Sequence, residues 1–360
     1  MDHLEQYLIQ ILSFWLQAEE KTLEGVVAPS TLTLMKELLL ENRLSSFQKV
    51  TRKLVSPLLR RTPSKLRYSV TTILKGIRSL KGIRSEGIGQ CRLVQIIEQL
   101  KGKMGIKRYI WDGKSSALCM THDVDYSAGY RNLLKVARLD NRYGIESTFN
   151  LLVYGDYRLE ESLLSEIIDM GHNIGLHGYD HDIAFGYRQK RYIENRLRTA
   201  MKGLNVNVSG YRAPAFCFSR NLIEVLNDLG FKYDTSLLVT NGPYHGIEVC
   251  FPYRYPFLRI WEIPLTIDDT FLFRDRRLSE KEALRVSKHV IADVNAVGGL
   301  TVINTHPSII IRNLNFYEEL LGYLKEQDNI QLESMESLVN YLEEKQQNTV
   351  KPLILKTENN

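Results

Sequence analysis

From about residue 115 onwards, short apolar runs alternate with longer amphipathic stretches, and this alternation restricts the chain to an α/β architecture. Short apolar runs are typical of buried strands, and apolar residues spaced three to four apart are typical of helices. Repeated strand–helix units favour a parallel sheet closed into a barrel. The predicted units are 117–122 with the helix 129–143, 147–153 with 160–170, 172–177 with 187–203, 208–212 with 219–229, 259–265 with 279–296, 300–306 with 314–326, and 330–334 with 335–345.

The part of the chain before residue 110 has a different pattern and predicts a helical extension. Residues 1–42 place apolar side chains at helical spacing, and residues 31–44 predict a second helix. Residues 43–94 hold thirteen Lys or Arg and a single acid, Glu86. The stripe of the first helix is formed by Leu4, Leu8, Ile11, Leu12 and Trp15.

The basic segment 43–94 has two interpretations. It is either a solvated helical face packed on the barrel, or a surface that docks on an anionic membrane or a polyanionic glycan. Nucleic acid is not an expected partner, because no nucleic-acid motif occurs and the net charge is only +5.

Four polar clusters each follow an apolar run, and we expect them to form one site. Chemistry in parallel barrels collects at the C-terminal ends of the strands, where these clusters would meet. The clusters are Thr121-His122-Asp123-Val124-Asp125, His177-Gly178-Tyr179-Asp180-His181, Tyr211-Arg212-Ala213-Pro214 and Asn304-Thr305-His306-Pro307.

The spacing within two clusters indicates a metal site. His177 and His181 are four residues apart, so both imidazoles share a face if the segment coils into a turn. Asp123 and Asp125 are two residues apart and point to the same side of an extended strand end. Two carboxylates so close repel each other unless a cation or a proton lies between them. A divalent metal held by one carboxylate and two imidazoles fits both observations.

In their order and rough spacing, the clusters resemble the motifs of the polysaccharide deacetylases, carbohydrate esterase family 4 with its chitooligosaccharide deacetylase homology domain. The resemblance covers about residues 115–345. It implies a distorted (β/α)7 barrel with a mostly helical N-terminal extension. We therefore predict three regions: a helical, basic N-terminal region at 1–110, a catalytic barrel at 111–346 and a polar tail at 347–360. The matching residues are Asp123, Asp125, His177, His181, Arg212, Pro214 and His306.

The resemblance also implies a role for each matching residue. Asp123 would be the general base, Arg212 would hold and tune it, and His306 would be the general acid. The backbone N–H of Ala215 would help to bind the oxyanion. The metal ligands would be Asp125, His177 and His181, with zinc expected first and cobalt, nickel or manganese also compatible.

Three points about this site stay open in the sequence. The two aspartates could exchange the roles of base and ligand. Asp234, in the indistinct fourth motif, is a candidate to orient His306. The pair Asp268-Asp269 ends an apolar run, so it could line the substrate cleft or be ordinary surface. His122 would point away from the metal and is expected in the core.

The implied function is that of a metal-dependent hydrolase that removes an N-acetyl group from an amino sugar in a surface-polysaccharide or glycolipid precursor. The alternatives are an amidohydrolase acting on a small non-sugar amide and a non-catalytic glycan-binding protein. Four dispersed cysteines without a C-x-x-C pair predict free thiols in a reducing compartment. No secretory signal is recognisable, so we expect a cytoplasmic protein, with peripheral binding at the inner face of the membrane as a candidate. Residues 237–258, rich in Gly, Pro and Tyr, predict a long loop over the barrel mouth.

Overall fold

The fold was analysed in a computed structural model, which describes residues 2–40, 53–54, 57, 88–106, 110–240 and 246–349. Apart from residues 53, 54 and 57, the part of the basic segment from 43 to 87 lies outside the described residues, as does the polar tail from 350 onwards. The three predicted regions therefore stay a prediction.

In the described part of the chain, ten strands form a single sheet with helices packed around it. The order of the neighbouring strands is β6-β7-β5-β4-β3-β2-β1-β9-β8, and β10 pairs with β1 outside this path. All pairs are parallel except β6 with β7. The strands are β1 Ser116–Val124, β2 Ser147–Leu152, β3 Asn173–Gly178, β4 Gly210–Tyr211, β5 Tyr233–Asp234, β6 Tyr253–Arg254, β7 Trp261–Glu262, β8 Ile267–Asp268, β9 Leu300–Thr305 and β10 Ile330–Leu332.

The sheet closes through one stretch of chain, 261–268, which contains both β7 and β8. On one side of it, the backbone N–H of Leu265 donates to the carbonyl of Leu237 at 2.8 Å. On the other side, Thr266 donates to Val302 at 3.0 Å. Because β7 lies next to one end of the strand path and β8 forms the other end, this stretch connects the two sides of the sheet. The predicted distorted (β/α)7 barrel is confirmed.

One of the seven strands differs from the sequence prediction. The segment 330–334 was expected to complete the barrel, but β10 pairs only with the first residues of β1 and stays outside the closed path. The missing barrel strand is β5, which the sequence pattern does not reveal. Two ladder residues flanked by polar side chains are too short to give an alternating signal.

All the predicted barrel helices form, with ends that differ by a few residues, and the first of them is split in two. The barrel helices are α5 Ser127–Tyr130, α6 Leu133–Arg142, α7 Glu161–Asp169, α8 Lys190–Leu204, α9 Arg220–Asp228, α10 Glu280–Val297, α11 Pro307–Ile310, α12 Leu314–Lys325 and α13 Met335–Thr349. Before the barrel lie α1 His3–Leu16, α2 Glu20–Glu24, α3 Pro29–Met35, a π-helical turn Lys36–Leu40 and α4 Arg92–Met104.

The first helix, α1, is defined at its start by a capping box and held by its apolar face. Asp2 accepts the backbone N–H of Glu5 at 2.7 Å, and the Glu5 carboxylate accepts that of Asp2 at 3.0 Å. Of the predicted stripe, every residue from Leu8 to Trp15 is buried. The indole of Trp15 donates to the carbonyl of Pro252 at 2.7 Å. The N-terminal helices thus share the hydrophobic core of the barrel.

The position of the segment 237–258 differs from the sequence prediction. It was expected over the barrel mouth, but where it is described it reaches the opposite end. Leu300, the first residue of β9, donates its N–H to the carbonyl of Cys250 at 2.7 Å. Phe251 packs its ring 5.7 Å from that of Trp15. Two described aromatic residues of this segment, Phe251 and Phe257, therefore pack against α1, through Trp15 and Tyr7.

Two further features concern the environment of the chain. The four cysteines are all buried, and none of them forms a disulfide. Among the described residues, no helix has the length and apolar character needed to cross a bilayer.

Candidate metal centre and active site

Three side chains from the strand ends converge on a candidate metal site. Asp125 follows β1, His177 lies in β3, and His181 lies in the loop that follows β3. The Asp125 Oδ1 atom lies 3.1 Å from His177 Nε2 and 3.4 Å from His181 Nε2. One ligand atom from each residue lies within 4.8 Å of the other two. His177 is buried, whereas Asp125 and His181 each keep 16% of the side chain exposed, so the group opens to solvent on one side.

The orientation of His177 suits metal binding. Its Nδ1 lies 2.9 Å from the carbonyl oxygen of Arg212. Because a carbonyl can only accept, Nδ1 carries a proton, and Nε2, on the side of Asp125, is the ring atom that would coordinate a metal. Gly178, the next residue, has φ = +132°, a conformation that L side chains rarely adopt. A glycine at this position therefore lets the chain turn between the two histidines.

The charge distribution also suits a cation. Burial by itself raises the pKa of Asp125, but His181, His306 and the hydrogen bonds of His177 and His181 outweigh it and hold that pKa well below its usual range. The carboxylate is therefore ionised and faces two imidazole nitrogens. One carboxylate and two imidazoles with an open side match the donor set of a catalytic zinc site, so the residues fit the implied metal.

Asp123 lies beside this group but is held by different partners. Its Oδ1 accepts from Asn150 Nδ2 at 2.8 Å, and its Oδ2 accepts from Asn304 Nδ2 at 2.9 Å. Arg212 Nη1 lies 3.6 Å from Oδ1. Burial raises the pKa of Asp123, but Arg212, followed by His177 and His306, outweighs burial and keeps the pKa below its usual value. Asp123 is thus a buried, ionised carboxylate outside the three-residue metal group.

Arg212 contacts both halves of the site. The guanidinium is fully buried, and its Nη2 donates to Thr235 Oγ1 at 3.0 Å. Its side chain approaches Asp123, while its backbone carbonyl fixes His177. The structure therefore places Arg212 where the predicted role of holding Asp123 requires it.

His306 lies on another side of the same opening. Its Nε2 is 3.7 Å from Asp125 Oδ2, and its Nδ1 is 2.6 Å from Asp269 Oδ1. Burial lowers the pKa of His306, but Asp269 and then Asp125 outweigh burial and raise it to about 10. In the metal-free chain His306 is therefore protonated at neutral pH, the state that a general acid needs.

The carboxylate that pairs with His306 is not the one predicted from the sequence. Asp234 was the candidate to orient His306, but Asp269 occupies that position. Asp234 instead accepts from Ser236 Oγ at 2.6 Å and pairs in register with Glu262. Burial raises its pKa to about 6. Asp234 is therefore a buried group of the barrel wall, and Asp269 was identified in the sequence only as part of an apolar run that ends in two acids.

Ala215 lies in a strained turn directly after the arginine cluster. Ala215 and Phe216 have φ = +50° and +55°, which is unusual for two consecutive residues that are not glycine. Such a backbone costs about 1–2 kcal/mol per residue and is retained when the surrounding structure requires it. The turn begins two residues after Arg212 and follows β4, so Ala215 lies at the C-terminal end of that strand.

His122 is part of the core, as expected. Its ring stacks on Phe149 with centroids 4.5 Å apart. Its Nδ1 pairs with Thr305 Oγ1 at 2.7 Å and its Nε2 with Asp140 Oδ2 at 2.8 Å. A threonine, a histidine and an aspartate in line are reminiscent of a nucleophilic triad, but all three are buried, so no substrate reaches Thr305.

Asn150 and Tyr157 are the site residues that the sequence analysis missed. Tyr157 bridges two strand ends: its hydroxyl donates to the Val124 carbonyl at 2.7 Å and accepts the N–H of Leu152 at 2.8 Å. Asn150 lies inside an apolar run, and its only sequence signal is a polar residue in the middle of a buried strand.

Comparisons with known proteins agree with this geometry. Residues 112–233 match the family model described as polysaccharide deacetylase. A peptidoglycan deacetylase of Helicobacter pylori is 31% identical over 122 residues, which are 33% of this chain and 41% of that protein. A peptidoglycan deacetylase-like protein of Gibberella zeae is 29% identical over 156 residues, 41% of this chain and 45% of that protein. The chain thus spans less than half the length of these curated relatives.

Solved structures show the same fold. A Mycobacterium smegmatis structure assigned to the polysaccharide deacetylases has a TM-score of 0.58 at 19% identity, and the match covers 69% of this chain and 97% of that one. A Pseudomonas aeruginosa structure assigned to the same group has a TM-score of 0.57 at 14% identity, with 68% and 97% covered. The allantoinase PuuE has a TM-score of 0.55 at 14% identity, with 64% and 91% covered.

Fold and site together define a (β/α)7-barrel protein with a carboxylate–imidazole group at the C-terminal ends of its strands. Residues 112–233 match the polysaccharide deacetylase family model, and this match agrees with the resemblance of the motifs. That family comprises hydrolases acting on carbon–nitrogen bonds other than peptide bonds.

Proposed function

We propose that this protein is a metal-dependent hydrolase that removes an N-acetyl group from an amino sugar in a surface-polysaccharide or glycolipid precursor. The observation that carries the proposal is the arrangement around one opening. A three-residue ligand group, a separate ionised carboxylate on Asp123 and a protonated His306 lie side by side. A binding site for a glycan has no need of a base and an acid on two sides of a metal group.

The residues of the chain account for each proton in the reaction. Asp123 accepts a proton from water as the water oxygen attacks the acyl carbon. His306 donates its Nε2 proton to the amine nitrogen as the carbon–nitrogen bond breaks, so acetate and a free amino sugar leave. The backbone N–H of Ala215 stabilises the negative charge that develops on the acyl oxygen.

The ligand group and the supporting residues complete this mechanism. Asp125, His177 and His181 would hold a divalent metal, which would supply Lewis-acid polarisation of the acyl group and activation of water. Arg212 keeps Asp123 ionised, and Asp269 keeps His306 protonated and oriented, because each provides a nearby opposite charge.

The substrate class is supported by the relatives. Both curated relatives are named for deacetylation of peptidoglycan, a polymer of N-acetylated amino sugars. The structural likeness to an allantoinase is at 14% identity and supports the fold alone, so it does not favour a small non-sugar amide.

We also propose that the protein works in the cytoplasm, at the inner face of the membrane. Four buried cysteines that form no disulfide support a reducing compartment. The thirteen Lys or Arg of residues 43–94 support contact with anionic lipid. In this location the substrate would be a precursor, before export of the finished polymer.

The proposal is tested by incubating the purified, zinc-loaded protein with N-acetylated nucleotide sugars and with lipid-linked N-acetylated sugars. Mass spectrometry should show the loss of one acetyl group and the release of acetate from at least one of them. Binding of a glycan without release of acetate would support the glycan-binding alternative. Turnover of small non-sugar amides without turnover of any sugar would support the alternative of an amidohydrolase that acts on a small non-sugar amide.

A further inference from the structure

Asp123 is held by one side-chain amide from each neighbouring strand. Asn150 lies directly opposite it on β2 and donates to Oδ1 at 2.8 Å. Asn304 lies on β9, on the other side of β1, and donates to Oδ2 at 2.9 Å. All three side chains are buried. In the metal-free chain, both carboxylate oxygens of Asp123 therefore already accept a hydrogen bond from a neutral amide.

The Asn304 amide uses both of its hydrogens on carboxylates. Besides Asp123, its Nδ2 donates to Asp268 Oδ2 at 3.0 Å. With two carboxylates on the same side of the amide, only the nitrogen can face them, which settles the amide orientation. Asp268 precedes Asp269, the partner of His306. Asn304 thus links the strand end that bears the base to the strand end that supports the acid.

The two aspartates of the first cluster present a chemical problem that this arrangement solves. Asp123 and Asp125 lie two residues apart on the same strand end, and a divalent cation attracts both. A carboxylate that coordinates the metal gives up a lone pair, and it becomes a poorer base. One of the two must therefore be kept from the metal if a free base is to remain.

We propose that Asn150 and Asn304 are positioning residues that hold Asp123 away from the metal, and so make Asp125 the ligand and Asp123 the base. The proposal rests on the proposed function. Turning Asp123 towards His177 and His181 would leave two buried amide donors without their acceptor, which opposes the rotation. Among the described residues, no amide holds Asp125 in this way; its side-chain partners are His177, His181 and His306.

The test compares two substitutions at position 304. Asn304→Asp keeps the volume but replaces two donors by a third carboxylate between Asp123 and Asp268. Asn304→Leu removes the donors without adding charge. We expect kcat to fall about 100-fold in Asn304→Asp and about tenfold in Asn304→Leu, with KM within about threefold and zinc retained.

The order of the two variants separates positioning from packing. If Asn304 only fills space, the isosteric Asn304→Asp should be the milder change, and that outcome would overturn the proposal. Asn132→Asp is the matched control, because Asn132 sits at the start of α6 and its amide donates to the carbonyl of Ala128 and not to a carboxylate. An acid is tolerated there, and activity should stay close to that of the native protein. If Asn304→Asp does not fold, Asn150→Asp and Asn150→Leu provide the same comparison.

A second measurement does not depend on turnover. Crystal structures of the zinc-loaded native protein and Asn304→Leu should show the Asp123 carboxylate turned towards the metal only in the variant. If the Asp123 carboxylate keeps its native orientation in Asn304→Leu, the proposal that Asn304 holds it away from the metal is overturned, whatever the activity of the variant. If the native protein releases acetate from no substrate, the proposed function fails, while the crystallographic comparison still decides whether the asparagines hold Asp123.

Discussion

His306 and Asp269 are joined twice: the imidazole Nδ1 lies 2.6 Å from Asp269 Oδ1, and the backbone N–H of His306 donates to Asp269 Oδ2, also at 2.6 Å. Both the ring and the main chain of the histidine are thus fixed by one buried carboxylate. With Nδ1 engaged, the Nε2 proton is the one directed at the opening. The pairing makes the protonation of His306 dependent on Asp269.

The first prediction concerns this dependence. Asp269→Asn removes the negative charge that raises the pKa of His306, so that pKa should fall. A general acid works only when protonated, so the alkaline limb of the pH–rate profile should move to lower pH, and kcat should drop more at pH 8 than at pH 6. Asp169→Asn, at the exposed end of α7, is the control and should leave the profile unchanged. An unshifted alkaline limb in Asp269→Asn would show that His306 is not the acid.

The second prediction is that His177 and His181 hold the metal. His177→Ala and His181→Ala should each lose most bound zinc, because three-ligand sites depend on every ligand. Metal content is measured by inductively coupled plasma mass spectrometry after dialysis. His289→Ala serves as the control, since His289 is exposed on α10 and should keep full occupancy. Full zinc content in both site variants would refute the assignment.

The third prediction separates base from ligand. Asp123→Asn should retain zinc but lose on the order of a hundredfold or more in kcat, because the proton acceptor is gone while the metal group stays intact. Asp125→Asn should lose zinc affinity as well. Competition with a chromophoric chelator gives the affinity, and acetate release gives the rate. The reverse pattern would exchange the two roles.

The fourth prediction concerns the attachment of α1. Trp15→Ala removes a buried indole that bonds to the Pro252 carbonyl and packs beside Phe251, so the free energy of unfolding should fall by about 3–5 kcal/mol. Urea unfolding followed by circular dichroism measures the change. Phe257→Ala is the matched control, since this aromatic lies on the neighbouring hairpin with 51% of its surface exposed, and its loss should cost far less. Equal effects would mean that α1 is not anchored through Trp15.

The fifth prediction tests membrane contact in the full-length protein. If the basic segment docks on anionic lipid, binding to phosphatidylserine-containing vesicles should fall steeply between low and physiological salt, because each Lys or Arg contributes about 1 kcal/mol that salt screens. Replacing the Lys and Arg of 43–87 by glutamine should abolish binding and leave activity on a soluble sugar intact. Binding that is absent or independent of salt would refute membrane contact. An insoluble variant would show that the segment is part of the fold.

Much of the site could be predicted because its ligands are rare residue types at the ends of strong apolar runs. His177, His181 and His306 are three of only eight histidines, and each follows a run that the barrel buries. Asp269 and Asn150 give no such signal: an acid after an apolar run has many explanations, and an asparagine inside one has no distinctive spacing. Their roles follow from which strands are neighbours, which depends on contacts across more than a hundred residues of chain for Asn304 with Asp123.

The barrel was predictable at the level of class, but its closure was not. The stretch 261–268 pairs with β5 near its start and with β9 near its end, and this change of partner leaves two short ladders of two residues each. A hydrophobic pattern reports burial and not the identity of a partner strand. For the same reason, the sequence pattern did not reveal β5 and wrongly predicted 330–334 as a strand of the barrel.

The contacts of α1 also bear on the order in which the molecule assembles. Tyr7 bonds to the carbonyl of Arg254 and Trp15 to that of Pro252, across 247 and 237 positions of the chain. These residues leave the ribosome well before their partners, which emerge only after more than half of the barrel has been synthesised. Contacts of such sequence separation slow folding, and the apolar face of α1 remains uncovered during that interval. Synthesis in the cell should therefore create a period in which this helix is the main site for chaperone binding or aggregation, before the end of the barrel arrives to cover it.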